Sequence, residues 1–152
     1  MVYLQGGGWC SGGDGSTVNL PGYSREEAVS HPNSCGGRVG SYFGTSRMDH
    51  DTRHFDGRGF ISGDAEENPY MYGWNRVLIR NCDGTLFLSS AAAPLHVGDG
   101  ATAHFRGRDN VFAVLDALFE VHGMANATDV LFSGCSAGGA AVILLAEHLQ
   151  RH

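Results

Sequence analysis

The five residues Gly134-Cys135-Ser136-Ala137-Gly138 restrict the fold of this chain more than any other stretch. They join a short apolar run, 129–133, to a longer and strongly apolar run, 138–151. A strand that turns into a helix within so few residues leaves no room for side chains beside the turn, and glycines at 134 and 138 meet that need. In this setting G-x-S-x-G reads as a nucleophile elbow, with Ser136 at the N-terminus of the following helix. The Ala137 N–H and the helix dipole would there face a developing oxyanion. The alternative is a glycine-rich strand–helix connection in which the serine merely caps the helix.

Two further strands are expected, at 2–5 and 76–80, the second stopped by the turn signal Asp83-Gly84. Ser24 and Glu27 have the form of a capping box opening a short helix that Pro32 ends. Val111, Val114, Leu115, Leu118 and Phe119 share one face of a helix over 107–122, with Gly123 placed to end it. Strand, helix, strand, helix, strand, helix is the order of an α/β fold with a parallel sheet. Between 33 and 75 no period is sustained, and a stretch of that length carries function or hides short elements. No internal repeat or linker divides the 152 residues, which are expected to form a single domain.

The 23 glycines cluster at 6–15 and 36–63, which makes much of the first half loop. Ten arginines, no lysine and a net charge of −6 give no footing for a nucleic-acid partner. No apolar stretch reaches the roughly 20 residues of a membrane span. Cys10, Cys35, Cys82 and Cys135 include no C-x-x-C pair, which argues against a zinc knuckle or dithiol motif. Cys10 and Cys35 lie in glycine-rich loops that a disulfide would hold together, although spacing alone allows four free thiols equally well.

The first strand runs into Gly6-Gly7-Gly8-Trp9, where the chain can approach a ligand closely and aim its N–H groups at one point. A phosphate cradle is the weaker reading, because G-x-x-x-x-G-K-S/T needs a lysine and this chain has none. A dinucleotide fingerprint fails too, since the glycines are not spaced for it and open no helix.

With both turns placed, the stretches YLQGGGWC, NPYMYGWNRVLIRNCDGTLF, HFRG and GMANATDVLFSGCSAGG resemble successive blocks of the pectin acetylesterase family, in that family's order. The resemblance covers most of the chain and is weakest over 11–60. It implies an α/β-hydrolase fold, a Ser-Asp-His triad, no cofactor or metal, and hydrolysis of carboxylic esters, typically acetyl groups on pectin. Members of Notum type instead remove a fatty acyl group from a signalling protein. Position by position, Ser136 matches the nucleophile, and Gly8, Trp9 and Ala137 match the residues whose N–H groups form the oxyanion hole. The family's acid and histidine lie beyond His152, and further sequence, commonly with a secretion signal, precedes the first strand. The chain is therefore expected to be a partial α/β-hydrolase, incomplete at both ends, inactive alone, and derived from a secreted or cell-wall protein. The rival from another class is a carbohydrate-binding module without catalysis.

Other residues draw attention. Asp49 to Asp56 holds enough potential ligands for a metal, but a solvated loop is the stronger reading. Whether His50, His54, His96 or His104 serves as the base depends on approach to the serine oxygen. His104, just before a helix, is read as structural. Arg106 and Arg108 are placed to hold a polar substrate or to pair with carboxylates. Trp9 is read as a wall of the ester pocket, as core packing, or both. Asn126-Ala127-Thr128 is an N-glycosylation acceptor pattern, and Cys135 is read as a small buried filler.

Overall fold

The computed structural model describes residues 1–10, 34–39, 41–47, 49, 57–97 and 101–152. Val2–Leu4 form β1, the central strand of a three-stranded sheet whose order is β2-β1-β5. β2 is Val77–Ile79 and β5 is Phe132–Gly134, and both run parallel to β1. Val2 stands level with Val77 and Phe132, Leu4 with Ile79 and Gly134. The family resemblance implies this order, with the strand at 2–5 between those at 76–80 and 130–133. Strand β5 sits slightly later than the expected 130–133, although the Leu131 carbonyl already accepts from the Val2 N–H at 2.8 Å.

Alternation puts Val2 and Leu4 on one face of β1, where they are 2% and 1% exposed. Tyr3 points to the other face, 6.5 Å from the ring of Phe60. Two long helices complete the buried cluster. Val111 and Leu115 come from α2, Gly107–Glu120, and Ala141, Leu145 and Leu149 come from α3, Ala137–Arg151. The spacing i, i+4 stacks these side chains along one stripe of each helix. On the opposite stripe of α3, Ile143 and Leu144 are exposed.

Helix α2 lacks a cap of its own, since Arg106 makes no side-chain cap bond. Buried Asp83 supplies one from a distant turn, its Oδ2 accepting from the Gly107 N–H at 2.5 Å and from Thr85 Oγ1 at 2.6 Å. The other end comes earlier than 122: the N–H groups of Val121 and His122 both reach the Ala117 carbonyl, and Gly123 follows at φ 76°.

The stretch from 33 to 75 does contain short elements among its described residues. Helix α1 spans Cys35–Arg38, capped by the Ser34 hydroxyl on the Gly37 N–H at 2.8 Å, and a 3₁₀ turn spans Gly59–Ile61. A hairpin that the sequence did not announce pairs β3, Leu95–Val97, with β4, Ala101–Ala103. Strands of three residues are too short to show a period. The helix expected after Ser24, and the segment holding His50 and His54, lie outside the described residues.

Candidate active site

The connection from β5 to α3 places Ser136 at φ 52° and ψ −121°, a conformation that side-chain-bearing residues rarely adopt. Its hydroxyl makes no cap bond to the helix, so the capping alternative does not hold. Packing explains the glycines. A Cβ on Gly138 would lie 2.0 Å from the Leu4 carbonyl oxygen, and one on Gly134 would lie 2.4 Å from the Gly138 carbonyl carbon. The start of α3 thus rests directly on the backbone of β1. Ser136 itself is exposed, at the C-terminal edge of the sheet.

The turn after β1 reaches the same place. A Cβ on Gly6 would stand 2.7 Å from the Cys135 carbonyl oxygen and 3.3 Å from Ser136 Cβ, so the two turns touch there. Gly7 and Gly8 follow at φ 130° and 64°. Phe43 fills the space beneath Gly7, and a Cβ on Gly8 would come 3.3 Å from Arg38 Nη2. The Gly8 carbonyl accepts from Asn81 Nδ2 at 3.0 Å, and the Cys10 N–H donates to the Gly84 carbonyl at 2.8 Å. Cys10 is also joined to Cys35 of α1 by a disulfide. The N–H groups of Gly8, Trp9 and Ala137 have no acceptor among the described residues. The exposed serine thus stands at the N-terminus of α3, beside the glycine turn that carries two of these N–H groups.

A guanidinium lies buried beneath the turn. Arg38 is 7% exposed, its Nε and Nη1 have no partner among the described residues, and its guanidinium lies 5.7 Å from the Phe43 ring. Burial holds this guanidinium below its ordinary pKa. Gln5 Oε1 accepts from the Asn81 N–H at 3.2 Å, tying the end of β1 to the end of β2.

The other candidates are dispersed. Trp9 is 57% exposed and is not a core residue. Cys135 is exposed, which corrects its reading as buried filler: residue 135 faces outward on the turn. It lies beside Tyr3, whose phenol is pushed up by burial and then by this thiol. His96 and His104 are exposed. His148 and His152 sit at the far end of α3, roughly 18 Å or more from Ser136 at 1.5 Å per residue. There they meet Arg108 and Asp116 at 3.4 and 3.1 Å. Arg106 pairs with Asp109 at 2.7 Å. A cavity of about 710 Å³ opens at the opposite end of the sheet, lined by Val2, Val77, Met124 and Asn126 among others, and contains none of the elbow residues.

A family model described as pectinacetylesterase matches residues 1–152. The chain belongs to the pectin acetylesterase family. Pectin acetylesterase 5 of Arabidopsis thaliana is 32% identical over 152 residues, covering 100% of this chain and 30% of the relative. Pectin acetylesterase 11 of the same plant is 34% identical over 152 residues, covering 99% and 32%. The chain thus spans about a third or less of the length of these curated relatives. The crystal structure of the Wnt deacylase Notum from Drosophila aligns with a TM-score of 0.72 at 25% identity, over 98% of this chain and 38% of that one. The parallel sheet with its serine turn is accordingly part of an α/β-hydrolase fold.

Within this member of the pectin acetylesterase family, sequence reasoning placed Gly6 in the glycine turn but missed Phe43, Arg38 and Asn81. No local pattern marks these three, which act through contacts made far along the chain.

Proposed function

We propose that the protein carrying this sequence is a serine carboxylesterase that removes acetyl groups from pectin. Ser136 Oγ attacks the acetyl carbonyl, and the tetrahedral oxyanion receives the N–H groups of Gly8, Trp9 and Ala137. The sugar hydroxyl departs with a proton, leaving an acetyl-serine that water hydrolyses to acetate. The histidine that moves these protons and the acid that orients it are assigned to sequence after His152, as the resemblance implies. Trp9, exposed beside the turn, forms one wall of the acyl pocket.

The observation that carries this reading is the backbone of Ser136, held at φ 52° where the hydroxyl caps nothing. Such strain costs about 1–3 kcal/mol and persists where function rewards it. Identities of 32% and 34% to plant pectin acetylesterases, against 25% to Notum, favour the acetyl polysaccharide as substrate. The overall likeness to Notum supports a second reading, removal of a fatty acyl group from a protein. The Cys10–Cys35 disulfide fits an oxidising compartment and hence a secreted or cell-wall location. Asn126 is exposed, as a glycosylated asparagine must be.

The test is acetate release from acetylated polygalacturonate by the full-length protein, beside fatty-acid release from a palmitoleoylated serine peptide. Acetate release with the peptide left intact is the expected result. Fatty-acid release alone would move the assignment to the second reading. Binding of the polysaccharide with neither product would make it a non-catalytic module.

A further inference from the structure

We propose that Asn81 is a positioning residue that sets the direction of the Trp9 N–H, and so assembles one arm of the oxyanion hole. This rests on the esterase reading above and extends it to a residue in another turn.

Asn81 is 0% exposed, and its backbone N–H and both ends of its side-chain amide are engaged. Its N–H donates to Gln5 Oε1 at 3.2 Å, its Nδ2 donates to the Gly8 carbonyl at 3.0 Å, and its Oδ1 accepts from the Gly84 N–H at 3.3 Å. One buried side chain therefore spans the glycine turn and the turn after β2. The peptide joining Gly8 to Trp9 is trans and planar, since the described residues include no cis bond. In such a unit the carbonyl and the following N–H point in opposite directions. With the Gly8 oxygen drawn inward onto Asn81, the Trp9 N–H is turned away from the interior, where no acceptor among the described residues claims it.

Glycine makes this bond necessary. Gly7 and Gly8 have positive φ, and glycine populates both signs of φ about equally, so the 8–9 peptide has little intrinsic preference for one orientation. The Cys10 N–H bond to Gly84 holds the residue after the unit, and Leu4 in the sheet anchors the chain before it. Between those anchors, the Asn81 amide is the donor that selects the orientation in which Trp9 N–H faces outward.

The experiment is steady-state kinetics of the full-length protein on 4-nitrophenyl acetate, with Asn81→Asp, Asn81→Ser and Ser136→Ala in parallel. Asn81→Asp keeps an oxygen for the Gly84 N–H but places a second oxygen against the Gly8 carbonyl. Asn81→Ser is too short to reach that carbonyl. Each is expected to lower kcat about 100-fold, the loss typical of one oxyanion donor, with KM changed less than about threefold. Affinity for a trifluoromethyl ketone, which forms an oxyanion on the serine, should fall in parallel. A residue that only supported the fold would lower the melting temperature without this split between kcat and KM. Folded variants with wild-type kcat overturn the proposal, and so does failure of both variants to fold, since Asn81 would then be a core residue first. Activity retained by Ser136→Ala would instead sink the serine reading itself.

Discussion

Replacing Ser136 by alanine in the full-length protein is expected to lower kcat for acetyl ester hydrolysis by on the order of 10⁵–10⁶. The oxygen proposed to form the covalent bond is lost, while the Gly8, Trp9 and Ala137 N–H groups proposed to bind the oxyanion remain. Residual catalysis of about 10³-fold over water is therefore anticipated from the hole and binding alone. Stability should scarcely change, because the Ser136 side chain is exposed and caps nothing. A glycine at the same position separates chemistry from strain. Ser136→Gly should be equally inactive but more stable than the wild type by about 1 kcal/mol, since φ 52° costs glycine little. Urea midpoints of the three proteins measure this. An alanine variant with ordinary activity, or a glycine variant less stable than the alanine one, would contradict the account.

The second large effect is structural. A Cβ on Gly138 would lie 2.0 Å from the Leu4 carbonyl oxygen, 2.6 Å from its carbon and 2.9 Å from the Gln5 carbonyl carbon. All three are backbone atoms of the central strand and its exit, so no side chain can rotate aside. Helix α3 must lift off β1, which opens the contact between the sheet and Leu145 and Leu149. Gly138→Ala is expected to destabilise the protein by on the order of 3 kcal/mol or more, or to prevent it from accumulating in soluble form. Gly123→Ala provides the comparison. Its φ is 76°, but nothing lies within 4 Å of the added methyl, so the expected loss is about 1 kcal/mol from backbone conformation alone. Equal losses in chemical denaturation would show that glycine conformation, not close packing, governs the elbow. Displacement of α3 would also carry Ser136 away from Gly6, so the folded fraction of Gly138→Ala should lose activity as well.

The elbow was legible because both of its causes are local. A strand-to-helix turn demands glycine at 134 and 138, and the apolar runs on either side announce the elements being joined. Helix α2 was legible for a similar reason, since Val111, Val114, Leu115 and Leu118 repeat at 3.6-residue spacing. The strand order β2-β1-β5 followed from the α/β alternation together with the family resemblance, not from any one residue. What the sequence concealed depends on long-range contacts. Asp83, read as part of a turn, also caps a helix 24 residues later. Asn81 reaches back 73 residues to Gly8, and nothing in Asn81-Cys82-Asp83-Gly84 signals that partner. Cys135 was misread because a buried cysteine is the commoner case, whereas a residue next to an elbow serine is turned outward with it. The hairpin 95–97 with 101–103 escaped notice because its strands are too short to show alternation.

The central claim is that the elbow and the glycine turn form one oxyanion site around Ser136. The most direct measurement is a crystal structure of the full-length protein after reaction with an alkyl fluorophosphonate. The account predicts phosphorus bonded to Ser136 Oγ, with one phosphonyl oxygen about 2.7–3.1 Å from the backbone nitrogens of Trp9 and Ala137. An adduct on another residue would contradict it, as would a phosphonyl oxygen directed to solvent with the Trp9 N–H turned inward.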